Sequence, residues 1–170
     1  MDVMQAIEKR YSCRSYHPDA IEEDKLGRIL EAARLAPSAR NQQEWRFVVV
    51  RDEHTRRKLS VAAANQDFVA QAPVVIVGCT MTDRLMRCGQ PSGVIDTAIA
   101  MEHIALQAVE EGLATCWVGA FYPDKVKPIL NIPDEVTVVE LMSLGYPADE
   151  PVGTPRCDMP KIVSFDSWQF

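Results

Sequence analysis

The stretch "SGVIDTAIAMEHIALQAVEEG", residues 92–112, decides how the rest of the chain must be arranged. Ser92 is the kind of residue that caps a helix start, Asp96 follows in the first turn, and Gly112 stands where a glycine commonly ends a helix. Between them Ile95, Ala98, Ile99, Met101, Ile104, Ala105, Leu106, Ala108 and Val109 leave almost no polar face. A helix on the surface of a globular domain carries one apolar stripe and one wet face. This one is expected to be buried, and a second subunit is one candidate for what covers it.

Outward from that helix, the apolar runs on either side read as strands. "PVVIVGC" (73–79) is apolar on both alternating faces and belongs in the middle of a sheet. "RFVVVR" (46–51), "TCWVGAF" (115–121) and "VTVVELMSLG" (136–145) are short, rich in β-branched or apolar residues, and bounded by turn formers. Helical periodicity returns between them. "IEEDKLGRILEAARLA" (21–36) places Leu26, Ile29, Leu30 and Ala33 at i, i+3, i+4, i+7 with acids in its first turn. A short helix follows Asp2 and ends near Tyr11, "EHTRRKLSVAAAN" (53–65) is helical, and Pro123 and Asp124 open another helix. The order β, α, β, α, β, α, β predicts helices packed on a mixed sheet.

At 170 residues with 47% hydrophobic content, one domain over residues 1–170 is expected, burying roughly 70% of its unfolded surface. The net charge of −6 and pI near 5.1 argue against a nucleic-acid or membrane-surface partner, both of which need clustered cations. No stretch has the length and apolarity of a membrane span or secretory segment, so a cytoplasmic location is expected. Cys13, Cys79, Cys88, Cys116 and Cys157 lack metal-ligand or paired spacing. After Pro147 the prolines 151, 155 and 160 break regular structure, yet Ile162, Val163, Phe165, Trp168 and Phe170 are apolar, as in an arm that docks elsewhere.

Four segments carry candidate binding chemistry. In "KRYSCR" (9–14), Arg10, Ser12 and Arg14 alternate, so in an extended segment two guanidinium groups and a hydroxyl point one way, towards an anionic or carbonyl-rich ligand. On spacing alone a solvated basic turn is the commoner outcome, because surface arginines are common. In "PSARNQQEW" (37–45), Ser38, Asn41 and Gln43 offer both donors and acceptors, suited to the edge of a planar heterocycle or to satisfying their own loop. Gly119 and Ala120 at a strand end allow a ligand close to the backbone, and Arg156 stands almost alone among prolines. No dinucleotide or phosphate-loop glycine motif, nucleophile elbow or histidine ligand spacing is present, so any reaction must be carried by something bound.

Taken together, "AIEKRYSCRSY", "APSARNQQEWRFVVV", "QAPVVIVG", "DTAIAMEHIALQAVEEGLATCWVGAF", "LGYP" and "PRCDMPKIV" resemble the FMN-dependent nitroreductase family in its short, single-domain form. The resemblance implies an α+β fold, a three-layer α/β/α arrangement with a mixed, mainly antiparallel sheet, and an intertwined homodimer whose arm, residues 147–170, docks on the partner. It implies FMN as bound cofactor and NAD(P)H as co-substrate, with a hydride passed by a ping-pong mechanism to a small-molecule acceptor such as a nitroaromatic or quinone. Flavin-fragmenting and reductive dehalogenating enzymes share the fold, and a flavin-binding dimer without turnover is a further alternative. By motif, Arg10, Tyr11, Ser12 and Arg14 would contact FMN, with Arg10 as electrostatic stabiliser of the ring. Pro37, Ser38, Ala39, Asn41 and Gln43 would serve the partner's flavin. Trp117, Val118, Gly119 and Ala120 would lie against the isoalloxazine, and Arg156 would reach the phosphate. Glu44 departs from the family's usual proline before the tryptophan, and His17 from its usual acid or small polar residue.

Overall fold

The computed structural model describes residues 1–170. Its helices are α1 (Val3–Lys9), α2 (Glu23–Arg34), α3 (Glu53–Ala62), α4 (Asp67–Gln71), α5 (Ser92–Glu110) and α6 (Pro123–Leu130). Its strands are β1 (Trp45–Val50), β2 (Val74–Thr80), β3 (Ala114–Val118) and β4 (Thr137–Gly145). They form one sheet in the order β1-β2-β4-β3, with every neighbouring pair antiparallel. The parallel component of the expected mixed sheet is a single bridge, Ser12 to Thr115, which lays the segment after α1 along the free edge of β3. Only the short helix α4 lies outside the elements expected from periodicity; it follows a turn in which Ala64 and Asn65 take positive φ.

Helices cover both faces of the sheet. On one side α3, α4 and α6 pack over Val75, Val77, Cys116, Val118 and Leu141, with Leu59, Val69 and Val126 buried between. On the other, α2 and α5 pack over Ile76, Met142 and Leu144 through Leu26, Ile29, Met101 and Ile104. β2 is buried along its whole length, as its unbroken apolar run demands. Where α5 crosses it, close approach is built in. A Cβ on Gly78 would stand 3.1 Å from Met101 Sδ, and one on Gly93 only 2.1 Å from Thr80 Oγ1.

The ends of α5 differ in how closely they follow the sequence. Pro91 occupies the cap position, and Ser92, expected there, is the first helical residue, its hydroxyl donating to the Arg84 carbonyl at 3.1 Å. Proline's fixed φ and the chain's pairing of Leu85 with Pro91 pull the start back by one residue. At the other end Gly112 has φ +76°, with Gly112 N donating to Val109 O and Leu113 N to Ala108 O. That is the paired bond pattern of a left-handed helix stop, with Leu113 tucked into the core. Arg28 of α2 clamps the same end, its Nε and Nη2 each 2.7 Å from the Glu111 carboxylate. No helix is long and apolar enough to cross a membrane.

Among the apolar surfaces left uncovered in the single chain are those of α5 and of the arm. α5 leaves Val94 and Ile95 exposed and Ile99 and Leu106 partly so. The arm after β4 holds one short turn, Met159–Lys161, and exposes Val152, Phe165 and Trp168.

Candidate functional site

α1 delivers the first group of candidates. Its end at Lys9 hands over to Arg10, whose extended backbone starts the segment that bridges to β3, with Cys13 N donating to Thr115 O at 3.0 Å. Held that way, Arg10, Tyr11, Ser12 and Arg14 line one open cleft of about 1240 Å³. The arm forms its opposite wall, with Asp149, Val152, Thr154 and Arg156. Three guanidinium groups and a hydroxyl thus face a single space, which is the donor set for a phosphorylated ligand. None of their charges is consumed in a tight ion pair: Arg14 Nη1 and Arg156 Nη1 reach only local carbonyls, at 3.4 Å each.

The closing of the cleft depends on Asp149, which the sequence does not single out. Tyr11 Oη donates to its main-chain oxygen and to Oδ1, at 3.0 Å each, and Cys13 Sγ approaches Oδ1 at 3.3 Å. Burial, with the neighbouring thiol and carboxylate, pushes the Tyr11 phenol well above its usual range. Burial likewise pushes the Cys13 thiol up, so Cys13 is a packed thiol rather than a nucleophile. Cys79, pushed up to about 11 by burial, and Cys116 are inert on the same grounds.

Arg10 is tied to the second group. Glu102 of α5 lies 3.7 Å from Arg10 Nε and accepts from Trp117 Nε1 at 3.2 Å. One carboxylate thus links the arginine after α1 to the aromatic ring on β3. Beyond Trp117 the strand opens: Gly119 and Ala120 are exposed, and the one atom a Cβ on Gly119 would meet within 4 Å is Glu140 Oε1, at 3.9 Å. A flat ring can approach that backbone.

The loop 37–43 sits elsewhere, against α5 at Asp96, which lies past the first turn rather than within it because the helix starts at Ser92, and none of its residues lines the cleft of the same chain. Buried Asp96 accepts from Ala39 N with both oxygens at 3.1 Å, and Ser38 Oγ accepts from Gln43 N at 3.0 Å. Arg40, Asn41 and Gln43 all take positive φ, between 53° and 57°. Non-glycine residues rarely adopt that region, and three in four positions mark a loop held in shape for a purpose. Asn41 and Gln43 are exposed, and Gln43 Nε2 donates to Asn41 O at 3.2 Å.

Comparison with known proteins follows the same lines. The model of the Nitroreductase family matches residues 7–66 and 60–146. An NADH dehydrogenase of Thermus thermophilus is 33% identical, over 96% of this chain and 95% of its own length. An FMN reductase [NAD(P)H] of Bacillus subtilis is 28% identical, over 91% of this chain and 70% of its own. Among solved structures, an FMN-dependent nitroreductase from Clostridium difficile superposes with a TM-score of 0.85 at 29% identity, over 97% of this chain and 99% of the other.

Proposed function

The chain belongs to the nitroreductase family, and from that premise we propose that it is an FMN-dependent oxidoreductase that takes reducing equivalents from NAD(P)H and passes them to a small-molecule acceptor such as a quinone or nitroaromatic. The observation that carries the reading is the convergence of Arg10, Ser12, Arg14 and Arg156 on one cleft, with Arg10 joined through Glu102 to Trp117 on the strand that opens at Gly119. That set fits FMN: cations and a hydroxyl for the phosphate and the carbonyl edge, and side-chain-free backbone for the ring. When bound, FMN supplies the redox chemistry, a ring able to accept a hydride and give it up again.

The protein's part is to bind, orient and tune. Arg10, held by Glu102, places positive charge where negative charge accumulates on reduction, which favours reduction electrostatically. Gly119 and Ala120 set the ring plane. The amides of Asn41 and Gln43, exposed and outside the lining of their own cleft, serve the cleft of a second copy, and the apolar side of α5 with the arm supplies the interface that brings the copies together. Both substrates use one exposed face in turn, so initial-rate plots at several acceptor concentrations run parallel. The location that goes with this chemistry is the cytoplasm, where NAD(P)H is abundant.

The deciding experiment is the absorbance spectrum of the fresh protein, before and after anaerobic addition of NADH and of NADPH. A yellow protein bleached by at least one of them is the expected result. A yellow protein that neither bleaches is a flavin binder without turnover, and a colourless one that refuses added FMN overturns the binding claim as well.

A further inference from the structure

Glu140 is the one carboxylate that the fold leaves unexplained. It interrupts the apolar run of β4, faces Gly78 across the β2 pairing, and sits beside Gly119 at the end of β3. The β2–β4 register slips between Gly78 and Cys79, so Val139 is an extra residue and the ladder bulges there. Bulges of this kind re-aim a side chain and recur next to active sites. On both flanks the neighbouring strand presents a glycine; Met101 and Thr97 of α5 fill the space over Gly78, which leaves a slot on the Gly119 side. The carboxyl fills it, and its Oε1 is buried without any hydrogen-bond partner. Burial raises its affinity for a proton, while the main chain at Val118 and Leu141 pulls the other way. A buried polar atom with no partner costs stability, so its presence calls for a reason outside the fold.

We propose that Glu140 is a proton-handling residue of the cofactor site: seated between Gly78 and Gly119, it takes up a proton when negative charge arrives beside the β3 strand end and releases it when that charge leaves. The inference rests on the FMN reading above. Reduction by the nicotinamide brings two electrons and one proton to the bound ring as a hydride. The site is then left one charge more negative, and Glu140 carboxylate offsets it by forming one O–H bond with a proton from bulk water. Reoxidation by the acceptor reverses that step, and no other bond changes at Glu140. The groups packed around the slot do not compete. Gly78 on β2 and Met101 and Thr97 on α5 carry no charge. Glu102, next along α5, is engaged by Trp117 and Arg10. The Cys116 thiol on β3 is coupled to Glu140 but is itself pushed up by burial.

The test is a redox titration of bound FMN against pH, in wild type and in Glu140→Gln, which keeps the shape of the side chain and removes its titration. In wild type the midpoint potential falls more steeply with pH over a window above the ordinary carboxylate range. One additional proton per two electrons adds about 30 mV per pH unit, the equivalent of tenfold in equilibrium constant. Glu140→Gln loses the steeper window and retains FMN. Equal slopes in the two proteins, or a wild type without a steeper window, overturn the assignment while leaving the FMN reading intact. Failure of the wild type to quench FMN fluorescence overturns the reading itself and this inference with it, whereas loss of quenching in Glu140→Gln alone overturns only the assignment of Glu140.

Discussion

Arg10 stands 3.7 Å from Glu102 and opens on the cleft, a guanidinium with most of its bonding capacity unspent. Charge-assisted hydrogen bonds contribute about 1.5–3 kcal/mol, so Arg10→Ala is expected to weaken FMN binding by about tenfold to a hundredfold, measured by quenching of flavin fluorescence. It also slows reduction by the nicotinamide. Glu140 behaves differently. Its proton affinity is higher folded than unfolded, so the folded chain is favoured below the ordinary glutamate range and loses that advantage as pH rises through the raised value. Glu140→Gln removes the loss. The cofactor-free protein is expected to gain about 1 kcal/mol at neutral pH, or about 2–4 °C in Tm, with the gain vanishing near pH 4 and below; thermal scans across pH check it.

At the scale of elements, α5 organises the site without lining the cleft. Its second turn holds the amide loop through Asp96, its middle holds Arg10 and Trp117 through Glu102, and its apolar side stays free. Asp96→Ala frees the Ala39 amide and releases a loop that already holds three residues in the left-handed region. About 1–2 kcal/mol of stability is expected to go, with faster hydrogen exchange at residues 39–43 and weaker FMN retention. The contact at the first turn is steric. Gly93→Ala would place a Cβ 2.1 Å from Thr80 Oγ1 and 2.9 Å from Thr82 O. Overpacking of this kind costs about 1–3 kcal/mol, visible as a lowered denaturant midpoint with unchanged slope.

For the whole molecule, the uncovered surfaces and the incomplete site have one solution. The cleft has cations but no amide edge, no residue of the amide loop lines it, and Val94, Ile95, Phe165 and Trp168 are exposed. On the proposed reading, two copies that exchange loops would complete both clefts and bury both apolar surfaces. Sedimentation is expected to give a dimer, and deletion of residues 151–170, which removes Arg156 and the apolar arm, to weaken both association and FMN binding. A stable monomer that holds FMN would refute this arrangement.

The amino-acid sequence by itself determined the elements. An all-round apolar 92–112, a continuous run at 73–79 and the alternation of helical and strand periods depend on local patterning, which needs no knowledge of distant residues. The set Arg10, Ser12 and Arg14 and the amide loop were legible too, because each is compact in sequence. The sheet order β1-β2-β4-β3 was decided only in three dimensions, since pairing joins strands far apart along the chain. So were the residues that complete the site. Glu102 meets Arg10 and Trp117, Asp149 meets Tyr11, and Glu140 lies between Gly78 and Gly119 through contacts that span tens of residues. One trace of Glu140 was visible beforehand, an acid inside an apolar strand run. What it lacks, a partner for a buried oxygen, is a property of the packed sheet alone.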